Sequence, residues 1–264
     1  MINETSLRLG FFIGLFALFA AAEALAPRRA RALPRAGRWR TNWALVLADA
    51  ATLRLLALAL PLLAVGAAAD AAAQGWGLLN LTPWPRWIEA ILALLSLDLA
   101  IWAQHLITHK VPLFWRFHRV HHADRDMDVT TAIRFHPVEI AASMLLKITL
   151  VYLIGPPVAA VIAFEILLNG TALFNHANLA LPRRLDAALR LILVTPDMHR
   201  VHHSSLRAEH DSNYGFSLSL WDRLFGTHVA QPGLGHAGMT VGLQWQDAAA
   251  AGFGWCLALP FRRK

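Results

Sequence analysis

Long apolar runs separated by short polar, basic or proline-rich breaks organise this chain. Leu7 to Ala26 is apolar except for Arg8 near its start and Glu23 near its end, and it is long enough to cross a bilayer as a helix. A second stretch, Trp43 to Ala69, carries Asp49 and Arg54, and a third runs from Trp87 to His105. Trp84, Trp87 and Trp102 flank the third run as interfacial anchors would. Polar residues then dominate from Lys110 to Arg134, before a long apolar region from Pro137 to Phe174. Gly155-Pro156-Pro157 breaks that region, because proline cannot continue a helix. Each half approaches span length, which predicts a helical hairpin that enters the bilayer and returns. From Leu181 onward the chain is polar with short apolar pieces, one of them amphipathic at Leu185 to Val194.

Composition sharpens this picture. Of 264 residues, 56% are hydrophobic and only 16% are charged, and the mean hydropathy is +0.44. Soluble domains carry nearer a quarter charged residues, so the balance favours a membrane class. The expected fold is therefore an all-α integral-membrane protein, a small transmembrane helical bundle with a cytosolic, histidine-rich metal-binding cap. One domain is expected over residues 1–264: N-terminal helices and a basic loop in 1–94, a core in 95–228 and a cytosolic tail in 229–264. Cys256 is the single cysteine, which excludes an internal disulfide and a thiolate metal cluster.

The net charge of +7 sits largely in arginines beside the apolar runs, where it reports topology rather than nucleic-acid binding. Arg28, Arg29, Arg31, Arg35, Arg38 and Arg40 crowd the first loop, whereas the loop at about 70–86 has only Arg86. This asymmetry places the first loop in the cytoplasm, the N-terminus outside, and Arg262-Arg263-Lys264 in the cytoplasm. The setting expected is a multi-pass protein of a bacterial inner membrane. A cleaved signal peptide ending near Ala24-Leu25-Ala26 is the alternative for the first run, but the positive charge follows that run instead of preceding it.

The chemistry lies in the histidines. There are thirteen, and eight of them fall in three boxes: His105 and His109 as H-x3-H, then His118, His121 and His122, and finally His199, His202 and His203, each triplet as H-x2-HH. Composition alone yields one H-x2-HH in roughly 0.03 of such chains, so two demand a cause. Residues i, i+3 and i+4 share a helix face, and each box therefore aims imidazoles at one place. Imidazole suits zinc, copper, iron and nickel. A haem needs only two axial histidines and one tetrahedral zinc at most four ligands, so this set fits two metal ions. His136, His210, His228 and His236 read as ordinary surface or core histidines. Threading the topology puts every histidine on the cytoplasmic side.

The order H-x3-H, H-x2-HH, a lone histidine in NHAN and H-x2-HH resembles the fatty acid hydroxylase and sterol desaturase superfamily. Asp98, RFHPVE at 134–139 and NYGFSLSLWDRLFGT at 213–227 extend the resemblance over roughly residues 95–228. It implies a nonheme di-iron oxygenase that uses dioxygen and electrons from a separate donor to hydroxylate or desaturate a lipid or other hydrophobic molecule. Zinc can replace iron in purified material. The ligands implied are His105, His109, His118, His121, His122, His176, His199, His202 and His203, with His136 as a possible addition. Ala180 stands where some relatives carry a further histidine, and His228 stands where they carry an aromatic residue.

Asp98 lies seven residues before His105 and Glu165 eleven before His176, so each shares a helix face with a ligand. Both are candidates for orienting metal-bound imidazoles, or else for buried salt bridges. Asp124, Asp126 and Asp128 read as a solvated turn or a cap. Ether cleavage, carbonyl chemistry, or a transporter without catalysis are the competing functions; transporters place their ligands nearer the bilayer midplane.

Overall fold

The computed structural model describes residues 4–60, 63–81, 83–246 and 251–262, and these form a helical bundle without strands. Its helices are α1 (Glu4–Leu25), α2 (Arg35–Ala59), α3 (Ala64–Gln74), α4 (Arg86–Lys110), α5 (Pro112–His122), α6 (Pro137–Ile154) and α7 (Val158–His176). Shorter helices follow, among them α8 (Arg183–Leu189) and α9 (Pro196–His202). Among the described residues, five segments are long and apolar enough to cross a membrane, and α1, α4, α6 and α7 are four of them. The fifth covers both α2 and α3. At 1.5 Å per residue, α6 and α7 are each about 27–29 Å long, close to the hydrocarbon thickness of a bilayer. The chain is thus a multi-pass membrane protein.

The hairpin expected at Gly155-Pro156-Pro157 is formed by α6 and α7. Gly155 caps α6 in the left-handed conformation (φ 67°), and Pro157 caps the start of α7. This turn rests on the loop after α3 so closely that a Cβ on Gly77 would stand 2.3 Å from the Gly155 amide nitrogen. Gly77 itself has a φ of +94°, so no other residue fits there without backbone movement. Beside this contact, Ala64, Ala67 and Ala68 of α3 pack against Val151 and Val161, and Ala71 on the same face is also buried. The i, i+3, i+4, i+7 spacing of methyl side chains lets α3 approach closely.

At the opposite end of the bundle, the ends of α1, α4 and α7 meet the starts of α2 and α6. The basic loop after α1 pairs with the segment after α7, the Arg28 amide donating to the Asn178 carbonyl at 2.9 Å and the Ala180 amide to Ala26 at 2.9 Å. Glu23, fully buried, accepts from the amides of Val129 and Asn178, both at 3.0 Å, and pairs with Arg35 at 2.8 Å. These bonds make α1 an integral part of the bundle, packed along α7.

Several expectations are corrected. The second apolar stretch is divided between two helices, α2 ending at Ala59 and α3 beginning at Ala64. Trp102 is buried and donates to Asp222 at 3.0 Å instead of anchoring at an interface, while Trp84 and Trp87 are exposed. Asp124 and Asp128 are buried, not solvated: Arg38 grips Asp124 through two nitrogens, at 2.6 and 2.7 Å, and Asp128 at 2.7 Å. Asp128 also caps the short 3-10 turn Val129–Ile133. Within the expected tail segment, Cys256 and Leu259 are fully buried against Leu45 and Val120. The Leu259 carbonyl accepts from Arg119 at 2.7 Å. Arg263 and Lys264 lie outside the described residues.

Candidate metal centre

Nine imidazoles converge where the helix ends meet, and none is more than 5% exposed. They fall into two groups. His105, His109, His118, His122 and His202 form one, and His121, His176, His199 and His203 form the other, with the candidate ligand atoms of each group within 4.8 Å of one another. The last two turns of α4 supply His105 and His109, and α5 supplies the first triplet after a tight corner at Lys110–Pro112. The final residue of α7 supplies His176, and α9 with its cap supplies the second triplet. All nine sequence-derived ligands are therefore brought together.

The hydrogen bonds settle which nitrogen faces inward. Nδ1 of His105 donates to the Tyr214 carbonyl at 2.7 Å, that of His176 to Ala172 at 2.7 Å, and that of His202 to Ser212 at 2.7 Å. His121 makes the same kind of bond to Arg134 at 3.2 Å. His118 Nδ1 instead meets the Glu139 carboxylate at 2.6 Å. A ring that donates from Nδ1 presents an Nε2 lone pair. Nε2 of His105 and His118 are 3.1 Å apart, and His176 Nε2 is 3.0 Å from those of both His121 and His199. Two nitrogens about 2.1 Å from a common metal and at right angles to each other would be about 3.0 Å apart. Burial holds His121, His122, His199, His202 and His203 well below their ordinary pKa, so their lone pairs are free of protons.

Buried polar atoms without partners give an independent test of fit. Both ring nitrogens of His109, His122 and His203, together with His199 Nδ1 and His202 Nε2, have no hydrogen-bond partner among the described residues. Leaving so many buried polar groups unsatisfied would cost about 1–3 kcal/mol each. Metal ions at the two groups would satisfy the inward-facing ones, and the residues fit that role.

Asp98 and Glu165 do not touch these rings. Asp98 Oδ2 accepts from Trp221 Nε1 at 2.8 Å and from the Leu218 amide at 3.3 Å. Sharing a helix face with His105 aims it at the loop that packs beside α4, one layer outside the imidazoles. Glu165 takes the salt-bridge alternative, with Arg8 at 2.6 Å and Lys147 at 2.9 Å. His136 caps α6 through its Nδ1, and its Nε2 lies 3.3 Å from the Leu257 carbonyl, outside both groups. His236 sits 3.5 Å from Asp197, and His210 stacks on Trp115.

Sequence reasoning missed two carboxylates beside ligand rings: Glu139, which ends the RFHPVE stretch and meets His118, and Asp211, whose Oδ1 lies 3.6 Å from His109 Nδ1. It also missed Asp222. That buried side chain accepts from Trp102, Thr227 and the amides of Tyr214 and Gly215, at 2.6 to 3.0 Å. It folds the segment whose Ser212 and Tyr214 carbonyls hold His202 and His105. Asn213 in the same segment adopts φ 49° and bonds Met198 and Val229. The long NYGFSLSLWDRLFGT stretch is thus a clamp behind two ligand rings.

Comparisons with known proteins agree with this geometry. A family profile described as fatty acid hydroxylase matches residues 90–227, just over half of the chain. The ornithine lipid hydroxylase OlsE of Rhizobium tropici is 31% identical over 69% of this chain and 53% of its own length. The alkylglycerol monooxygenase of Homo sapiens is 33% identical over 60% of this chain and 34% of its own length. That of Xenopus tropicalis is 34% identical over 57% and 32%. The chain thus spans about half of the first relative and about a third of the other two. No solved structure matches it. With all the ligand boxes inside the matched region, the chain belongs to the fatty acid hydroxylase family.

Proposed function

We propose that this protein is a membrane-bound, oxygen-dependent lipid hydroxylase whose two imidazole groups each hold an iron ion, at the cytoplasmic face of a bacterial inner membrane. The observation that carries the reading is the pair of adjacent groups of five and four buried imidazoles, with His105 and His118 lining a cavity among membrane-spanning helices. Their position at one end of the bundle does not favour transport.

Iron held by neutral imidazoles supplies the oxygen-activating redox chemistry that side chains lack. The overall balance is that one C–H bond, dioxygen, two electrons and two protons yield one alcohol and one water. The chain's own residues fix the geometry. Glu139 and four backbone carbonyls set ring orientation, and burial excludes water from the reacting space. We assign the electrons to a separate donor. The substrate is a lipid, in keeping with relatives named for ornithine lipid and alkylglycerol. The orientation rests on the arginines of the first loop, which lie at the histidine end.

The test uses cells with and without the protein, grown under 18O2, with the extracted lipids analysed by mass spectrometry. New lipids heavier by one 18O atom, together with two iron equivalents in the purified protein, are expected. Metal-loaded protein with an unaltered lipid profile overturns the reading. Reporter fusions at residue 75 and at the C-terminus should report opposite sides, and same-side reporting would overturn the orientation.

A further inference from the structure

One ring of the five-histidine group stands in the wall of an aqueous space. A pocket of about 320 Å³ opens beyond the last turn of α4, its walls including His109, Lys110, Trp115, Arg207, His210 and Asp211. Lys110 ends a membrane-crossing helix, and the side chains of Lys110 and Arg207 are 47% and 79% exposed, so this pocket meets water. His105 and His118 line a different cavity, which lies among the membrane-spanning helices, largely between apolar side chains such as Ile101, Ile140, Met144 and Leu168. A divalent ion would take that route only at a heavy desolvation penalty. None of the nine imidazoles is more than 5% exposed, so any ion they hold has to be passed in through the protein.

His109 connects the two sides. Its ring centroid lies 4.6 to 5.1 Å from those of His105, His118, His122 and His202, while its Nδ1 is 3.6 Å from Asp211 Oδ1. His109, His210 and Asp211 have candidate ligand atoms within 4.8 Å of one another. His210 donates from Nδ1 to the Ser204 carbonyl at 3.1 Å, which leaves its Nε2 lone pair for an ion. Stacking on Trp115, with the ring centroids 5.3 Å apart, holds that ring in place. Asp211 Oδ2 is taken by Lys110 at 2.9 Å and Arg207 at 3.3 Å, so Oδ1 is the oxygen that faces His109. His105, His118 and His202 are fixed through Nδ1, but neither nitrogen of His109 has a hydrogen-bond partner among the described residues. The His109 ring can therefore turn without breaking a hydrogen bond.

We propose that His109, His210 and Asp211 form a third, outer metal site, through which divalent ions enter the buried centre. Two imidazoles and a carboxylate suit iron(II) and leave positions open for water. The hydrated ion exchanges water for His210 Nε2, Asp211 Oδ1 and His109 Nδ1. It then passes inward as the His109 ring turns, with no change of oxidation state. The outer site is weak by construction. It has three protein ligands where the inner groups have five and four, and Lys110 and Arg207 offset the charge of Asp211. Weakness suits transit, because an ion held firmly outside would not move on. This inference rests on the metal-binding part of the reading above and goes beyond it, to how the ions arrive.

The test measures iron rather than turnover. Full-length protein in detergent, loaded with iron, is dialysed against iron(II) without oxygen. The wild type should bind a third equivalent that is lost on desalting while two remain, whereas His210→Gln should hold two before and after. Metal-depleted protein is then mixed with iron(II), stopped with a chelator at timed intervals and analysed for retained iron. His210→Gln and Asp211→Asn should load at least about tenfold more slowly, since losing even a ligand's supporting partner costs that much affinity. His210→Gln should still reach two equivalents, and His228→Gln, altered outside the pocket, should load like the wild type. The outer site is overturned, and the inner centre left standing, by a wild type that binds no third equivalent or by a third equivalent that persists in His210→Gln. Loading of His210→Gln at the wild-type rate does the same. A final content below two equivalents in His210→Gln would make His210 part of the buried centre and also overturn the transit role. Wild-type protein that retains no iron after desalting overturns both.

Discussion

Residues 118–122 and 199–203 both read His-Arg-Val-His-His, yet the two segments feed the metal groups in opposite ways. The first sends His118 and His122 to the five-histidine group and His121 to the other. The second sends His199 and His203 to the four-histidine group and His202 to the first. Helix geometry explains the split: at about 100° per residue, positions i and i+4 point about 40° apart, while i+3 diverges about 100° from i+4. Each segment therefore has a pair and an outlier, and each outlier completes the other segment's group. In both, the valine is fully buried. The arginines anchor differently, Arg119 to the Leu259 and Arg262 carbonyls and Arg200 to Asp197. The lesson is that a motif fixes how rings diverge, whereas the approach of the helix decides which centre each ring serves.

The largest expected effect breaks this exchange. His121→Ala leaves the four-histidine group with three rings, while His202→Ala leaves the five-histidine group with four. Elemental analysis of the purified variants should find that His121→Ala loses about one metal equivalent and all turnover, since three ligands hold an ion less firmly than four. His202→Ala should keep most of its metal and lose activity only in part. Equal metal loss in the two would show that the groups are not the separate units that the geometry describes.

Next in size is the partner behind each segment. His118 leans on a carboxylate, Glu139, and His202 on a backbone carbonyl, Ser212. Only the first can be altered by substitution without moving the main chain. Glu139→Gln should lower metal affinity or turnover by about 10- to 100-fold while the protein still inserts and folds. Rescue by Glu139→Asp would argue for charge at that point, and wild-type metal affinity in Glu139→Gln would remove Glu139 from the site.

The spans, the hairpin and the eight box histidines were legible in the sequence because each depends on short-range periodicity, whereas the lone His176 was marked only by the family resemblance. The Gly155-Pro156-Pro157 break and the i, i+3, i+4 boxes are patterns that a helix imposes on its own residues. What lay hidden depends on contacts between distant segments. For Asp98 and Glu165 helical register left two readings open, orienting an imidazole or forming a buried salt bridge, because register gives a direction and not the neighbour found there. The neighbours are Trp221 for Asp98 and Arg8 and Lys147 for Glu165. Asp124 and Asp128 read as a solvated turn or a cap; Asp128 does cap the next turn, but nothing local reveals that Arg38, about ninety residues earlier, folds over both. Breaking such a buried pair typically costs about 3–5 kcal/mol, so it is a major tie between α2 and the ligand-bearing helices.

Asp98 comes third, as a test of support at one remove. Its carboxylate holds Leu218 and Trp221 at the far end of the clamp that presents the Tyr214 carbonyl to His105. Asp98→Asn keeps an acceptor oxygen and loses the charge that strengthens these bonds, a loss of about 1–2 kcal/mol. Thermal unfolding in detergent should shift downward, metal content should stay near that of the wild type, and turnover should fall less than in Glu139→Gln. A fall as deep as that of Glu139→Gln would mean that the clamp transmits to the ring as strongly as a direct bond.

The smallest effect separates a buried histidine from a ligand. His236 is nearly inaccessible and stands 3.5 Å from Asp197, two residues before the second segment. Burial pushes its pKa from the ordinary 6.5 down to about 4, against the pull of Asp197. In the folded protein the ring therefore stays neutral where the unfolded chain would take up a proton. The sign follows: its contribution to stability is complete above about pH 6.5 and declines as the pH falls toward 4, because the unfolded state then binds more protons. His236→Gln should leave metal content and turnover unchanged at neutral pH and should make the melting temperature less sensitive to acid between those values. The ligand rings titrate in both proteins, so the difference between the two melting curves isolates His236. A variant that loses metal at neutral pH would show that the network reaching from Asp197 to Arg200 holds His199 in place, and the second segment would then depend on its surroundings as much as the first depends on Glu139.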